Sequence, residues 1–281
     1  MRKACTASRS LTRTDVLDWY RRWRTARTLE RRAIPDELWR LTLARYAFLD
    51  LPDADEARRL RELSTLFLAT KEFTGTRGLV VDDAMAVAIA AQACLPILNR
   101  GLDEYNGFVG IVVHEDLVVA KREHVDDDGI VHHYDEELSG EAMHGGPVTL
   151  SWHDVELAGE SADEGYNVVI HEFVHVLDMR NGDADGIPAL ADRAAVEEWV
   201  RVLSADYDAF CERVDAGDDT LLDPYAAQAM EEYFAVASEA FFVSPWNLLD
   251  EHPSTYALLR AYFDQDPASR TARDVVRRVG D

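Results

Sequence analysis

Apolar positions along this chain change their spacing twice. Between residues 34 and 98 they recur at helical intervals. Pro35 suits a first helical position ahead of Leu38, Trp39, Leu41 and Leu43. Asp53-Ala54-Asp55-Glu56 opens a second helix carrying Leu60, Leu63, Leu66, Phe67 and Leu68. Asp82-Asp83 opens a third, Ala84 to Leu98, ending near Asn99-Arg100-Gly101.

From 109 to 152 the spacing is that of strands. Val109 to Val119 is dense in Val and Ile, with His114-Glu115-Asp116 interrupting it. Asp126-Asp127-Asp128-Gly129 reads as a turn, with Ile130 to Tyr134 returning. Pro147 to Trp152 alternates as a short strand, whose edge would suit an extended peptide. Helical spacing then resumes over Arg193 to Val214, Pro224 to Phe242 and Pro253 to Phe263. Helices early, a small sheet in the middle and helices late predict an α+β fold. Residues 1–33, where Trp19, Tyr20 and Trp23 sit among arginines, form an arm or short helix. Residues 34–266 form one domain, with a helical part (34–104) and a second part (105–266), and 267–281 form a tail.

Between the sheet and the later helices lies Tyr166 to Leu177, apolar on nearly every side. A helix of that kind is buried. Ser161 or Asp163 is its expected N-cap, and Asn181-Gly182 its expected stop. Inside it stands His171-Glu172-Phe173-Val174-His175. On a helix the two histidines are neighbours, with Cβ atoms about 5–6 Å apart, and zinc takes imidazole nitrogens at about 2.0–2.1 Å. Glu172 is rotated away from that line, as the general base of a zinc hydrolase must be. The bland alternative is a core helix with two satisfied histidines. Buried histidine and glutamate need partners, and one metal supplies a partner for all three.

A catalytic zinc usually has three protein ligands and one open position. After His175 the only histidine is His252, so the third ligand is sought among later acids. Glu232 and Glu239 lie seven apart, on one face of the 224–242 helix, among Tyr233, Phe234, Val236, Phe241 and Phe242. Spacing alone does not choose between them. Asp178 is a candidate acceptor for an imidazole N–H. His114, His132, His133, His144 and His153 read as structural or solvated. Asn181 to Asp192 partly mimics a calcium loop, but Pro188 intrudes and Asp replaces the usual Glu at its twelfth position. An acidic loop near the cleft, favouring a free amino terminus, is the better reading.

Charge narrows the partners. The formal net charge is −24, with three lysines against 26 arginines. That field opposes nucleic acids and anionic membranes. No apolar run reaches the roughly 18–20 residues of a membrane span. No apolar stretch precedes Asp15, so no signal peptide is read and a cytoplasmic location is expected. Cys5, Cys94 and Cys211 show no CxxC pairing, so reduced thiols are expected.

Several segments, in order, resemble the Mlc titration factor A family. They surround Glu72-Phe73, Ile89 to Pro96, Leu138 to Ala142, Gly146 to Trp152, Gly165 to Phe173 and Glu232 to Val236. The resemblance covers roughly residues 34–266 and departs at Val176, where many relatives carry Lys. It implies a bacterial zinc peptidase with a zincin-like fold, akin to the anthrax lethal factor catalytic domain. It also implies His171, His175 and Glu232 as ligands of one zinc ion, Glu172 as catalytic base and Tyr225 as active-site tyrosine. Two functions follow from it. One is a peptidase, aminopeptidase-like, on short peptides. The other is a regulatory protein that sequesters a transcriptional repressor, whose basic surface would suit an acidic partner.

Overall fold

Asp53 and Asp82 cap their helices as their positions predict. Asp53 Oδ1 accepts the N–H groups of Asp55 and Glu56, and Asp82 Oδ1 accepts that of Met85. The structure is a computed structural model that describes residues 13–116, 118–125, 131–138 and 140–270. Its first part is helical: α1 (Arg13–Arg32), α2 (Asp36–Arg45), α3 (Ala54–Thr70) and, after strand β1 (Glu72–Gly75), α4 (Asp83–Cys94). The third helix is shorter than its sequence suggests. Beyond Cys94 the chain tightens into turns, with Gly101 at φ 93° donating its N–H to Ile97.

The predicted Val109–Val119 strand is two strands in different sheets, β2 (Gly110–His114) and β3 (Val118–Val125). β3 pairs with β4 (Val131–Leu138) as an antiparallel ribbon. The predicted turn at Asp126–Gly129 lies outside the described residues. β5 (Gly140–Ala142) and β6 (Val148–Ser151) join β1 and β2 in a mixed sheet of order β1-β2-β6-β5. β1, β2 and β6 are parallel, with Phe73 opposite Ile111 and Val113 opposite Leu150, and β5 runs antiparallel to β6. Alternate residues Ile111, Val113, Val148 and Leu150 are buried, as the two-residue period requires. The 147–152 strand is therefore not an edge. It has neighbours on both sides, and the edges of the four-stranded sheet are β1 and β5.

After β6 come α5 (Trp152–Leu157), α6 (Val168–Asp178), α7 (Arg193–Ala216), α8 (Met230–Val243), α9 (Pro245–Glu251), α10 (Pro253–Phe263) and α11 (Pro267–Arg270). α6 is the buried helix. It packs on β5 and β6 on one side and on α4 and α8 on others. Phe173 on α6 meets Phe67, Tyr105 and Phe108, with ring centroids 5.0–5.9 Å apart. On the far side of α8, Trp199 and Tyr262 stack edge-on against Phe234.

The predicted 224–242 helix is two pieces. Pro224–Ala227 is a 3₁₀ turn, Ala229 is extended, and α8 starts only at Met230. At the break Tyr207 on α7 donates its hydroxyl to the Ala227 carbonyl (3.0 Å), the acceptor that a continuous helix would offer to Glu231. Among the described residues no helix is long and apolar enough to cross a membrane. Cys94 and Cys211 are free thiols, and Cys5 lies outside the described residues.

Candidate metal centre

Asn167 starts α6. Its side-chain oxygen accepts the Ile170 N–H, and its amide donates to Gln92 on α4 at 2.8 Å. The expected caps are displaced. Ser161 to Glu164 form a separate 3₁₀ turn, which Gly165 ends at φ 83°. From Asn167 the helix carries His171 and His175 on one face, their Nε2 atoms 3.1 Å apart. Glu232, in the first turn of α8, brings Oε2 to 3.1 Å from His171 Nε2 and 3.4 Å from His175 Nε2. Among the described residues this is the only group of three His, Cys, Asp or Glu that could hold a metal. Metal–ligand distances of 2.0–2.2 Å place the donor atoms of a tetrahedral zinc about 3.3 Å apart. Two imidazole nitrogens and one carboxylate oxygen, at these separations, fit that ion with the fourth position free.

The second acid on the same face of α8 has a different place. Glu239 is 1 % exposed, and its Oε1 lies 2.7 Å from His171 Nδ1. Its other oxygen accepts the backbone N–H of Asn167. The two acids thus address opposite nitrogens of one ring. With Nδ1–H given to Glu239, Nε2 keeps its lone pair for a metal. From the sequence Glu239 reads only as a rival ligand to Glu232. The signal for its actual position was present, a buried acid two turns from another on one face, but not which nitrogen each would meet.

Asp178 does not accept a hydrogen bond from a ligand imidazole. Its Oδ2 accepts the Gly186 N–H at 2.8 Å, and Trp199 Nε1 donates to the Gly186 carbonyl at 2.7 Å. Burial pushes the Asp178 carboxyl up to about 6, against the pull of the Gly186 N–H. The loop that mimics a calcium site is folded on itself: Asn181 donates to the Ile187 carbonyl, and Asp185 accepts the Ile187 N–H. Gly186 at φ 75° lies against Met230, the first residue of α8. His114 Nδ1 meets Thr76 Oγ1 at 3.0 Å, His144 and His153 are exposed, and His252 Nδ1 pairs with Asp206 at 3.1 Å.

Glu172 is 4 % exposed, and its Oε2 is buried without a hydrogen-bond partner. Strand β5 comes so close that a Cβ on Gly140 would stand 2.5 Å from Glu172 Cγ and Oε1. Burial raises the Glu172 carboxyl to about 7, although charge on His171 and His175 pulls it down. Burial lowers His171, but its hydrogen bonds to Glu232 and Glu239 outweigh that and hold its pKa well above normal. Burial likewise raises Glu232, but His171 and His175 outweigh it and hold Glu232 well below the usual range.

Tyr225 sits in the 3₁₀ turn whose first N–H is capped by Asp223. Its ring lies 6.2 Å from the His171 ring, and both line a cavity of about 650 Å³ together with Glu172.

The model of the glucose-regulated metallo-peptidase M90 family matches residues 20–264. Curated relatives are similar over most of their length. Mlc titration factor A of Cronobacter sakazakii is 33% identical over 251 residues, 88% of this chain and 92% of that protein. Mlc titration factor A of Salmonella arizonae is 35% identical over 238 residues, 84% of this chain and 93% of that protein. Mlc titration factor A of Serratia proteamaculans is 36% identical over 225 residues, 79% and 84% respectively.

Proposed function

The chain belongs to the glucose-regulated metallo-peptidase M90 family, and from that membership we propose that it is a zinc-dependent peptidase with a zincin-like catalytic core. Its ligands are His171, His175 and Glu232, its base is Glu172, and its substrates are short peptides, opened in an aminopeptidase-like manner. The observation that carries the reading is the 3.1–3.4 Å triangle of donor atoms beside a buried, unpartnered carboxylate oxygen. Zinc bound there supplies Lewis acidity and brings the pKa of a bound water toward about 7.

The chain's own groups do the rest. Glu172 takes a proton from the attacking water through the oxygen that lacks a partner, and passes it to the leaving amine. Tyr225, across the cavity from Glu172's helix, donates a hydrogen bond to the carbonyl oxygen as charge develops on it. Glu239 holds His171 in the tautomer that ligates. The outer edge of β5, which has no strand partner on that side among the described residues, offers backbone groups to an extended peptide.

Metal analysis and peptide hydrolysis test this together. The purified protein should carry one zinc per chain, cleave peptides, lose cleavage to a chelator and regain it with zinc. Glu172→Gln should keep the metal and lose cleavage by 10²-fold or more. Full activity in zinc-loaded Glu172→Gln would falsify the base assignment.

A second reading rests on the relatives, which are named Mlc titration factor A. Under it the chain binds a repressor protein of that kind, and its charge of −24 suits a basic DNA-binding partner. Retention of such a repressor by zinc-free Glu172→Gln protein, at undiminished affinity, would separate this role from peptidase activity.

A further inference from the structure

The cavity beside the metal ligands is larger than the chemistry requires. It runs from His171 and Glu172 past the Glu164–Tyr166 turn and the Leu221–Asp223 segment, and it measures about 650 Å³. Its walls are apolar where α6 and α8 face each other: Val168, Val236 and Ala240, with Leu221 and Leu222 closing it. Four carboxylates line it, Glu164, Glu172, Asp223 and Glu239, and among the described residues no Lys or Arg does.

Two of the four carboxylates are already committed. Glu239 is held by His171 and Asn167, and Glu172 is the base of the proposed reaction. Asp223 spends one oxygen on the Tyr225 N–H, and neither it nor Glu164 has an ion-pair partner among the described residues. Both are exposed, so they stand at the mouth of an apolar pocket. Such a pocket suits a side chain with an aliphatic stem and a cationic end, since the stem covers apolar wall while the head meets the acids in water. An amino terminus alone would fill only a small part of the volume.

We propose that this cavity is the pocket for a substrate side chain beside the scissile bond, and that Glu164 and Asp223 make it select lysine or arginine there. This deepens the peptidase reading and rests on it. The overall negative field draws cationic peptides toward the same mouth.

The test is a peptide series that differs at one position flanking the cleaved bond, carrying Lys, its uncharged isostere norleucine, or Glu. Each peptide is made with a free and with an acetylated amino terminus. The zinc-loaded protein should prefer Lys to norleucine by about tenfold in kcat/KM, the effect of one effective charge pair. It should reject Glu. The Glu164→Gln/Asp223→Asn variant should bring the Lys:norleucine ratio close to one. Asn still caps the Tyr225 turn, and Glu164→Gln alone, on an exposed turn, should lower the ratio part of the way.

A wild-type ratio of one or below overturns the proposal, as does a ratio that the double variant leaves unchanged. Acetylation changes both members of a Lys/norleucine pair alike, so their ratio, read by binding where acetylated peptides are not cleaved, should persist, and its loss on acetylation overturns the proposal. Binding of the same peptides to zinc-loaded Glu172→Gln, followed by fluorescence anisotropy, reads the ratio without turnover. If no peptide is cleaved by the wild type, the peptidase reading fails by itself, and equal binding of Lys and norleucine peptides overturns the pocket assignment.

Discussion

Glu239 Oε1 lies 2.7 Å from His171 Nδ1, while Glu232 Oε2 lies 3.1 Å from the Nε2 of the same ring. In the proposed zinc site one helix thus supplies both a ligand, Glu232, and an anchor, Glu239, for the neighbouring ligand His171. Loss of an anchor of this kind typically costs 10–100-fold in metal affinity. Glu239→Gln should weaken zinc binding within that range, and Glu239→Ala more, because the Asn167 N–H is then also left unpaired. Competition with a chromophoric chelator measures it. An unchanged zinc affinity in Glu239→Ala would remove Glu239 from the site.

Gly140 is where strand β5 touches Glu172, the proposed base. A methyl group there meets Glu172 Cγ and Oε1 at 2.5 Å and Cδ at 2.7 Å, so the carboxylate must move. Gly140→Ala is expected to lower kcat by tenfold or more while zinc stays bound, at a stability cost of about 1–3 kcal/mol. Metal content, kcat and chemical denaturation, measured on one preparation, check all three. Lost zinc with normal turnover of the remaining holoenzyme would contradict the contact.

Gly186 lets the loop after α6 pass close against the start of α8. Its φ is 75°, and a Cβ would meet the Met230 carbonyl oxygen at 2.8 Å. Glu232 follows two residues later. Gly186→Ala should therefore destabilise the protein by about 1–2 kcal/mol from left-handed strain alone, and also weaken zinc binding by displacing the start of α8. Thermal unfolding with and without zinc reports both effects, and a variant whose zinc-induced stabilisation matches the wild type would show that the displacement does not reach Glu232.

Lys71 is one of the chain's three lysines and is 9 % exposed. Its Nζ donates to the Tyr105 and Phe108 carbonyls at 2.5 and 2.6 Å and lies 3.6 Å from the Phe108 ring centroid. Burial lowers its pKa from 10.5 to about 8. For a base depressed in the folded state, the unfolded chain binds more protons between these values, so its contribution to stability rises as pH goes from 8 to 10.5. Lys71→Met should lose stability through the two abandoned carbonyls, by about 1–3 kcal/mol, and the gap to wild type should widen across that window. Urea unfolding of both proteins at pH 7, 9 and 10.5 tests the sign, and a gap that narrows would refute it.

Much of the helical framework was legible because its causes are local. Asp53, Asp82 and Asp192 cap the helices they precede through bonds spanning two or three residues. The two histidines of the motif face one way because a helix puts residues four apart on one side. Other boundaries were misread where a distant group decides. The Pro224–Phe242 pattern reads as one helix, but it breaks at Gln228–Ala229, where Tyr207 of another element bonds the Ala227 carbonyl. β1 has only four residues and a mixed pattern, and it is a strand because β2 pairs with it in register. Asp178 has a helix-end sequence context, but its partner is Gly186, set by the loop's return.

By itself the sequence determined a buried α6 with two imidazoles and a carboxylate, and a later helix with two acids on one face. Periodicity and burial follow from the order of residues, because the contacts that create them lie within a few turns. Only the tertiary structure decided that Glu232 meets the Nε2 atoms and Glu239 meets Nδ1, and that Gly140 lies against Glu172. Those outcomes depend on how α8 crosses α6 and how β5 joins the sheet edge. They are set by packing between segments 30 to 70 residues apart, and no local pattern encodes the relative placement of two elements.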